Sequence, residues 1–244
     1  MCLINPKQKV ANRVEQHHRY GKLRNMVNGT INNLLRATLY LSHITEVLTM
    51  KRIVFFVALV VMLGGCATKP PTHTNNVCAV FDQKNGFFNN WEKDAKRAEA
   101  RYGIPMPIIM ATMNTESSYR HNARPPRTKL FGFIPWKRRS TAYGYSQALN
   151  GTWDHYVRAT GNRGAKRTNF ADAADFIGWY HRESVRRNGI NPNNAYALYL
   201  NYYMGHSAYA RTGGRASSAI MASAERTDRM ARRYDQQLRR CGRR

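Results

Sequence analysis

Glu116 lies at helical spacing from Ile109, Thr112 and Met113, so its carboxylate shares a stripe with apolar side chains. Glutamate is rarely buried without a partner. A carboxyl group in a low-dielectric wall has a raised pKa, which is what a general acid working near neutral pH requires. Spacing alone fits an exposed or salt-bridged glutamate at a helix end equally well. Glu183, at helical spacing from Phe176, Trp179 and Tyr180, is a second carboxylate among aromatics. His181 and His206 belong to no HExxH motif and no Cys/His cluster, so they read as satisfied polar residues, and neither a metal nor a cofactor is expected. The tyrosines at 196, 199, 202, 203 and 209 suit a sugar-stacking wall or a core.

The elements that must position these groups are helical. Asn90 can cap a helix through Trp91, Ala95, Ala98 and Tyr102, with Gly103 as its stop. A second runs from near Met106 to about Ser118, a third from the Asn169 cap to Gly189, and a fourth opens at Asn191-Pro192 and ends near Gly205. Ser217 to Arg240 reads as a basic amphipathic terminal helix. Strand-like alternation is scarce, so the fold class is mainly α, with one domain over residues 78–244. Residues 124–140 break the pattern with bases, aromatics, Pro and Gly, and are expected to form a long loop or hairpin. Such chemistry could stack on sugars, touch a membrane interface or hold nucleic acid.

With 39 Lys+Arg against 14 Asp+Glu the net charge is +25, which favours a polyanionic partner without choosing among nucleic acid, membrane surface and cell-wall polymer. Residues 50–65 narrow the choice. Met50-Lys51-Arg52, the apolar run Ile53 to Leu63 and then Gly64-Gly65 have the order of a secretory signal peptide, and the run is too short for a spanning helix of about 20 residues. Leu63-Gly64-Gly65-Cys66 resembles the bacterial lipobox, which implies lipidation of Cys66, and Ala67 in place of an aspartate implies the outer membrane. Residues 1–49 are then expected to be a misassigned or disordered N-terminal extension, and residues 66–77, polar and proline-containing, a tether. From Cys66 onward the chain still carries 30 basic and 12 acidic residues. With Cys66 given to lipid and Cys2 outside the mature chain, Cys78 and Cys241 read as a disulfide formed in an oxidising compartment, two unpaired thiols being the alternative.

Ile109-Met110-Ala111-Thr112-Met113-Asn114-Thr115-Glu116-Ser117-Ser118-Tyr119 resembles the catalytic segment of the soluble lytic transglycosylase (SLT) family, in which a glutamate followed by serine ends an apolar helix. Ala142-Tyr143-Gly144-Tyr145-Ser146-Gln147 is similar to the second family motif, with Thr152-Trp153 downstream, and Asn201-Tyr202-Tyr203-Met204-Gly205 is similar, less closely, to the third. The blocks stand in the family's order over roughly residues 91–209.

The resemblance implies a single lysozyme-like domain of the goose-type lysozyme and SLT kind. It also implies cleavage of the MurNAc-GlcNAc β-1,4 bond of peptidoglycan with formation of 1,6-anhydroMurNAc, using one catalytic glutamate where most glycosidases use two carboxylates. Carried over by position, Glu116 protonates the glycosidic oxygen and Ser117 orients it or the acetamido group. Gly144 lets the backbone approach the glycan, Gln147 lies near the carboxyl, Tyr202 lines the cleft, and Tyr203 and Gly205 complete the substrate-binding set. Tyr203 stands where the family has asparagine, and Asn201 could replace that residue only with a shift in register. The expected partners are peptidoglycan strands and, through Cys66, the membrane. Nucleic acid conflicts with export, and the chain is expected to be monomeric, on the periplasmic face of the outer membrane. The alternatives are a non-catalytic peptidoglycan-binding lipoprotein, which Tyr203 favours, and a hydrolytic lysozyme.

Overall fold

In the computed structural model the described residues are Arg52, 69–86 and 89–244. The expectations for residues 1–49, the signal segment 50–65 and lipidation at Cys66 lie outside them. Residues 68–244 form one compact unit. From residue 69 onward the described residues form eight α-helices and one two-stranded antiparallel sheet, the mainly α architecture of a lysozyme-like domain.

The helices are α1 (Val77–Lys84), α2 (Trp91–Tyr102), α3 (Met106–Ser117), α4 (Asn150–Thr160), α5 (Phe170–Asn188), α6 (Ala195–Met204), α7 (His206–Thr212) and α8 (Ser218–Arg240). Strands β1 (Arg127–Leu130) and β2 (Ile134–Arg138) lie between α3 and α4. Capping chemistry sets several boundaries. Asn90 accepts from the Lys93 amide and Asn169 from that of Asp172, while Gly103 and Gly189 close α2 and α5 in the left-handed conformation. The fourth expected helix starts later than Asn191-Pro192. Asn191 instead turns the chain, its Oδ1 accepting from Asn193 N at 2.8 Å, and Asn194 caps α6 by accepting from Ala197 N at 3.0 Å. Helices α1, α4 and α7 are not expected from the sequence: α1 and α7 are only eight and seven residues long, and α4 follows Leu149 with no side-chain cap to mark its start.

Helix α3 is the centre of the molecule: ten of its twelve residues are buried. A helix apolar all round has to be surrounded, and α2, α5 and α8 pack on it. Polar bonds set its position. Thr112 Oγ1 lies 3.0 Å from His181 Nε2 on α5. Asn114 Nδ2 donates at 2.9 Å to the hydroxyl of Tyr234 on α8, and that hydroxyl donates to the carbonyl of Thr74. The segment before α1 is therefore bound to the domain, and Pro71 and Val77 are buried in it.

On the opposite side Asp175 of α5 accepts from Tyr102 of α2 at 2.8 Å, from Tyr156 of α4 at 2.7 Å and from Arg101 at 3.1 Å. A half-buried carboxylate with three donors is stable where an unpaired one is not. Trp91 stacks on Phe170 at 4.0 Å, with Tyr145 edge-on at 5.6 Å, filling the space between α2, α5 and the loop ahead of α4.

Cys78 of α1 and Cys241, just past α8, are joined by a disulfide with Cα atoms 6.7 Å apart, 163 residues apart in sequence. In the chain-entropy model a loop of that length is worth about 5 kcal/mol. Replacing both cysteines by alanine is therefore expected to lower Tm by roughly 10–20 °C, read by calorimetry. A shift under a few degrees would show that the reduced, unfolded chain is already constrained.

Candidate active site

Glu116 occupies the last turn of α3, on the floor of a cleft of about 470 Å³. Around it the cleft is lined by Ser140, Gln147 and Leu149 from the segment ahead of α4, by Thr152 of α4, by Phe176 and Tyr180 of α5, and by Tyr202, Tyr203, Met204 and Gly205 at the end of α6. No cation among the described residues pairs with Glu116. Burial raises its carboxyl pKa to about 7, and a hydrogen bond donated by Tyr199 opposes the rise. The chain turns sharply just behind it, because Ser118 and Tyr119 both have left-handed backbones at φ 50° and 58°. Two consecutive non-glycine residues in that region are strained, and packing has to hold them there. Tyr119 supplies the packing: it is fully buried and its hydroxyl donates to the carbonyl of Met110 at 3.0 Å.

Helix α6 contributes the aromatic wall. Tyr202 donates to the carbonyl of Ser146 at 2.5 Å and meets Tyr180 edge-on at 5.0 Å. That bond ties α6 to the loop 141–149, whose backbone is pinned by Arg167. The guanidinium of Arg167 donates to the carbonyls of Thr141 (3.1 Å) and Ala148 (2.9 Å), and its own carbonyl accepts from Tyr145 N at 3.1 Å.

Residues 54–241 match the transglycosylase SLT domain family. The chain belongs to that family. A comparison with curated proteins finds no match. SLT membership points to peptidoglycan as the substrate class and to lytic transglycosylase chemistry.

In this SLT domain Glu116, Gln147, Tyr202, Tyr203 and Gly205 meet at one cleft. Gln147 has a left-handed backbone, and its Nε2 donates to the carbonyls of Gly144 (2.7 Å) and Ala123 (3.0 Å), so its amide braces the loop. Tyr203 is 58% exposed at the rim. Two residues lie elsewhere. Ser117 is buried and its hydroxyl donates to the carbonyl of Met113 at 3.1 Å. Gly144, at φ 77°, lies against the backbone of Arg167, where an added Cβ would come within 2.1 Å of the carbonyl oxygen. Its lack of a side chain serves that contact. Asn201 is fully buried with its Oδ1 2.9 Å from Ser184 Oγ, so the register shift that would bring it into the cleft is absent.

Glu183 is held as a carboxylate by Arg186 (2.7 Å) and Arg187 (2.9 Å), which bring its pKa down to about 2. His181 is buried and bonded to Thr112, and burial holds its pKa down to about 3, so the ring is neutral. His206 stacks on Tyr180 at 4.3 Å. Among the described residues no group of three His, Cys, Asp or Glu could hold a metal ion. Sequence reasoning missed Tyr199 as the donor to Glu116. Its signal was position, since Tyr199 precedes Tyr202 by three residues and shares a helix face with it.

Because the folded-state pKa of Glu116 lies above the ordinary 4.5, the folded chain binds more protons than the unfolded one between pH 4.5 and about 7. Its contribution to stability is therefore complete at acid pH and is lost as pH rises through that window, by roughly 3 kcal/mol in all. Glu116→Gln cannot ionise. It is expected to gain on the parent as pH rises from 4.5 to 8, in denaturant titrations at each pH. A constant difference across that range would show that the carboxyl is solvated.

Proposed function

We propose that this chain cleaves the MurNAc-GlcNAc β-1,4 bond of peptidoglycan without water, with Glu116 as both acid and base. The observation that carries the reading is a carboxyl group with a pKa near 7 on the floor of an aromatic cleft, with no cation beside it. Such a group is protonated often enough to donate and ionised often enough to accept at neutral pH.

In the first step the Glu116 proton goes to the glycosidic oxygen while the acetamido oxygen of MurNAc attacks C1, and the bond to the leaving GlcNAc breaks. The hydrogen bond from Tyr199 stabilises the new carboxylate. In the second, Glu116 takes the proton from the sugar's 6-hydroxyl, whose oxygen attacks C1 and displaces the acetamido oxygen, leaving the 1,6-anhydro ring. The proton count closes without a second carboxylate. Tyr202, half-buried against Tyr180 and bonded to the loop 141–149, fixes the width of the cleft at the reacting bond. Tyr203 offers an exposed ring face to a sugar.

We further propose, from the residue pattern at 50–66, that the domain is exported and lipid-anchored through Cys66 at the outer membrane, facing the wall.

Product analysis tests the reaction. The parent is expected to release muropeptides ending in anhydroMurNAc, and Glu116→Gln to lower that yield at least 100-fold, the lower range for a lost general acid and base. Reducing ends would mean hydrolysis, and binding without products a scaffold. Tyr199→Phe removes the donor that favours the carboxylate, so the alkaline limb of its pH–rate profile is expected at higher pH than in the parent. An unmoved limb would place the titrating acid elsewhere.

A further inference from the structure

Six large apolar side chains stand exposed among the described residues, and four of them lie between positions 131 and 136: Phe131 (80% exposed), Phe133 (72%), Ile134 and Trp136. They belong to the β1–β2 hairpin, in which Lys129 pairs with Pro135 and Leu130 with Ile134. All five residues of β2 are exposed. At the tip, Phe131 and Gly132 both have left-handed backbones, at φ 51° and 81°, and Phe133 N donates to the carbonyl of Leu130 at 3.4 Å. A turn of this kind favours Asn, Asp or Gly at its first central position. Phenylalanine there is strained, and no packing within the domain compensates it. An isolated two-stranded hairpin is also marginal in water unless something covers it.

The charges on the hairpin and its flanks are all of one sign. Arg127, Lys129, Lys137, Arg138 and Arg139 surround the four apolar residues, and no Asp or Glu occurs between residues 117 and 153. From Arg124 to Ser140 there is also no Asn or Gln. A sugar-binding surface needs side-chain acceptors for hydroxyls as well as ring faces, and this segment has only Thr128 and Ser140, the latter already accepting from Ala142 N at 3.3 Å. Phenylalanine and tryptophan at a convex tip, ringed by Lys and Arg, match the chemistry of an anionic lipid interface: rings enter the headgroup region while the bases meet phosphates.

We propose that the hairpin 127–138 is a membrane-contact element that dips Phe131, Phe133, Ile134 and Trp136 into an anionic phospholipid surface, separately from any lipid on Cys66. The chain leaving β2 reaches the cleft directly, since Ser140 and Ala142 line it. A docked hairpin therefore holds the mouth of the Glu116 cleft near the bilayer and confines the domain to glycan strands running beside it.

Trp136 supplies a local probe, because Trp91, Trp153 and Trp179 are buried. The full chain carrying Cys66→Ala is mixed with vesicles of equal parts zwitterionic and anionic phospholipid with brominated acyl chains, and the Trp136 emission is isolated by difference from Trp136→Phe. That emission is expected to shift to the blue and be quenched on anionic vesicles and not on purely zwitterionic ones. Lys129→Glu with Lys137→Glu is expected to weaken the quenching at least tenfold in lipid concentration, given a basic residue's typical contribution at an anionic surface. Phe131→Ser with Phe133→Ser should abolish it with an unchanged circular dichroism spectrum. If the chain sediments with vesicles while Trp136 stays unquenched, another segment makes the contact and the proposal fails. It fails equally if Trp136 responds to soluble glycan strands and not to lipid.

Discussion

The molecule is organised around one uncompensated carboxyl group. The chain carries 39 Lys and Arg side chains, yet among the described residues none reaches Glu116, and its near partner is the neutral hydroxyl of Tyr199. A cation beside it would hold it ionised, as Arg186 and Arg187 do for Glu183. Keeping cations away costs stability at neutral pH, and the remaining contacts of the fold have to offset that cost.

They do so by fixing α3 at several points. Thr112 with His181 ties it to α5, and Asn114 with Tyr234 ties it to α8 and the Thr74 backbone. Buried polar pairs of this kind specify position more sharply than apolar contact, because a small slip leaves a donor unpaired. The result is a rigid floor, strained at Ser118 and Tyr119, beneath a wall that depends on the Tyr202–Ser146 bond. The disulfide closes the same assembly at its two ends, holding α1 to the end of α8.

The positive charge is distributed elsewhere. Helix α8 spends part of it in pairs one turn apart, such as Arg232 with Asp228 and Arg239 with Asp235, exposed contacts that contribute little to stability. On the hairpin the bases have no acidic partner among the described residues and accompany exposed rings. The same excess of bases thus meets acids on one face of the domain, leaves the cleft carboxyl alone, and on the hairpin stands ready for anionic material outside the chain.

Much of this was legible in the residues. Asn90, Gly103, Asn169 and Gly189 mark helix ends through local backbone chemistry, and the stripe through Ile109, Thr112, Met113 and Glu116 was visible as spacing. The ordered motif blocks identified the family. Local chemistry could not decide which polar residues face the cleft. Ser117 and Asn201 lie in motif segments yet bond within the core, and the small size of Gly144 serves the Arg167 carbonyl. Nor could it show that Glu116 lacks a cation and has Tyr199 as donor, because those neighbours come from helices far along the chain. By itself the sequence determined five of the helices, the cysteine pair available for bonding and the carboxylate's place on an apolar stripe. Only the tertiary structure decided the environment of that carboxylate, because desolvation and hydrogen bonding depend on which side chains surround a group in space.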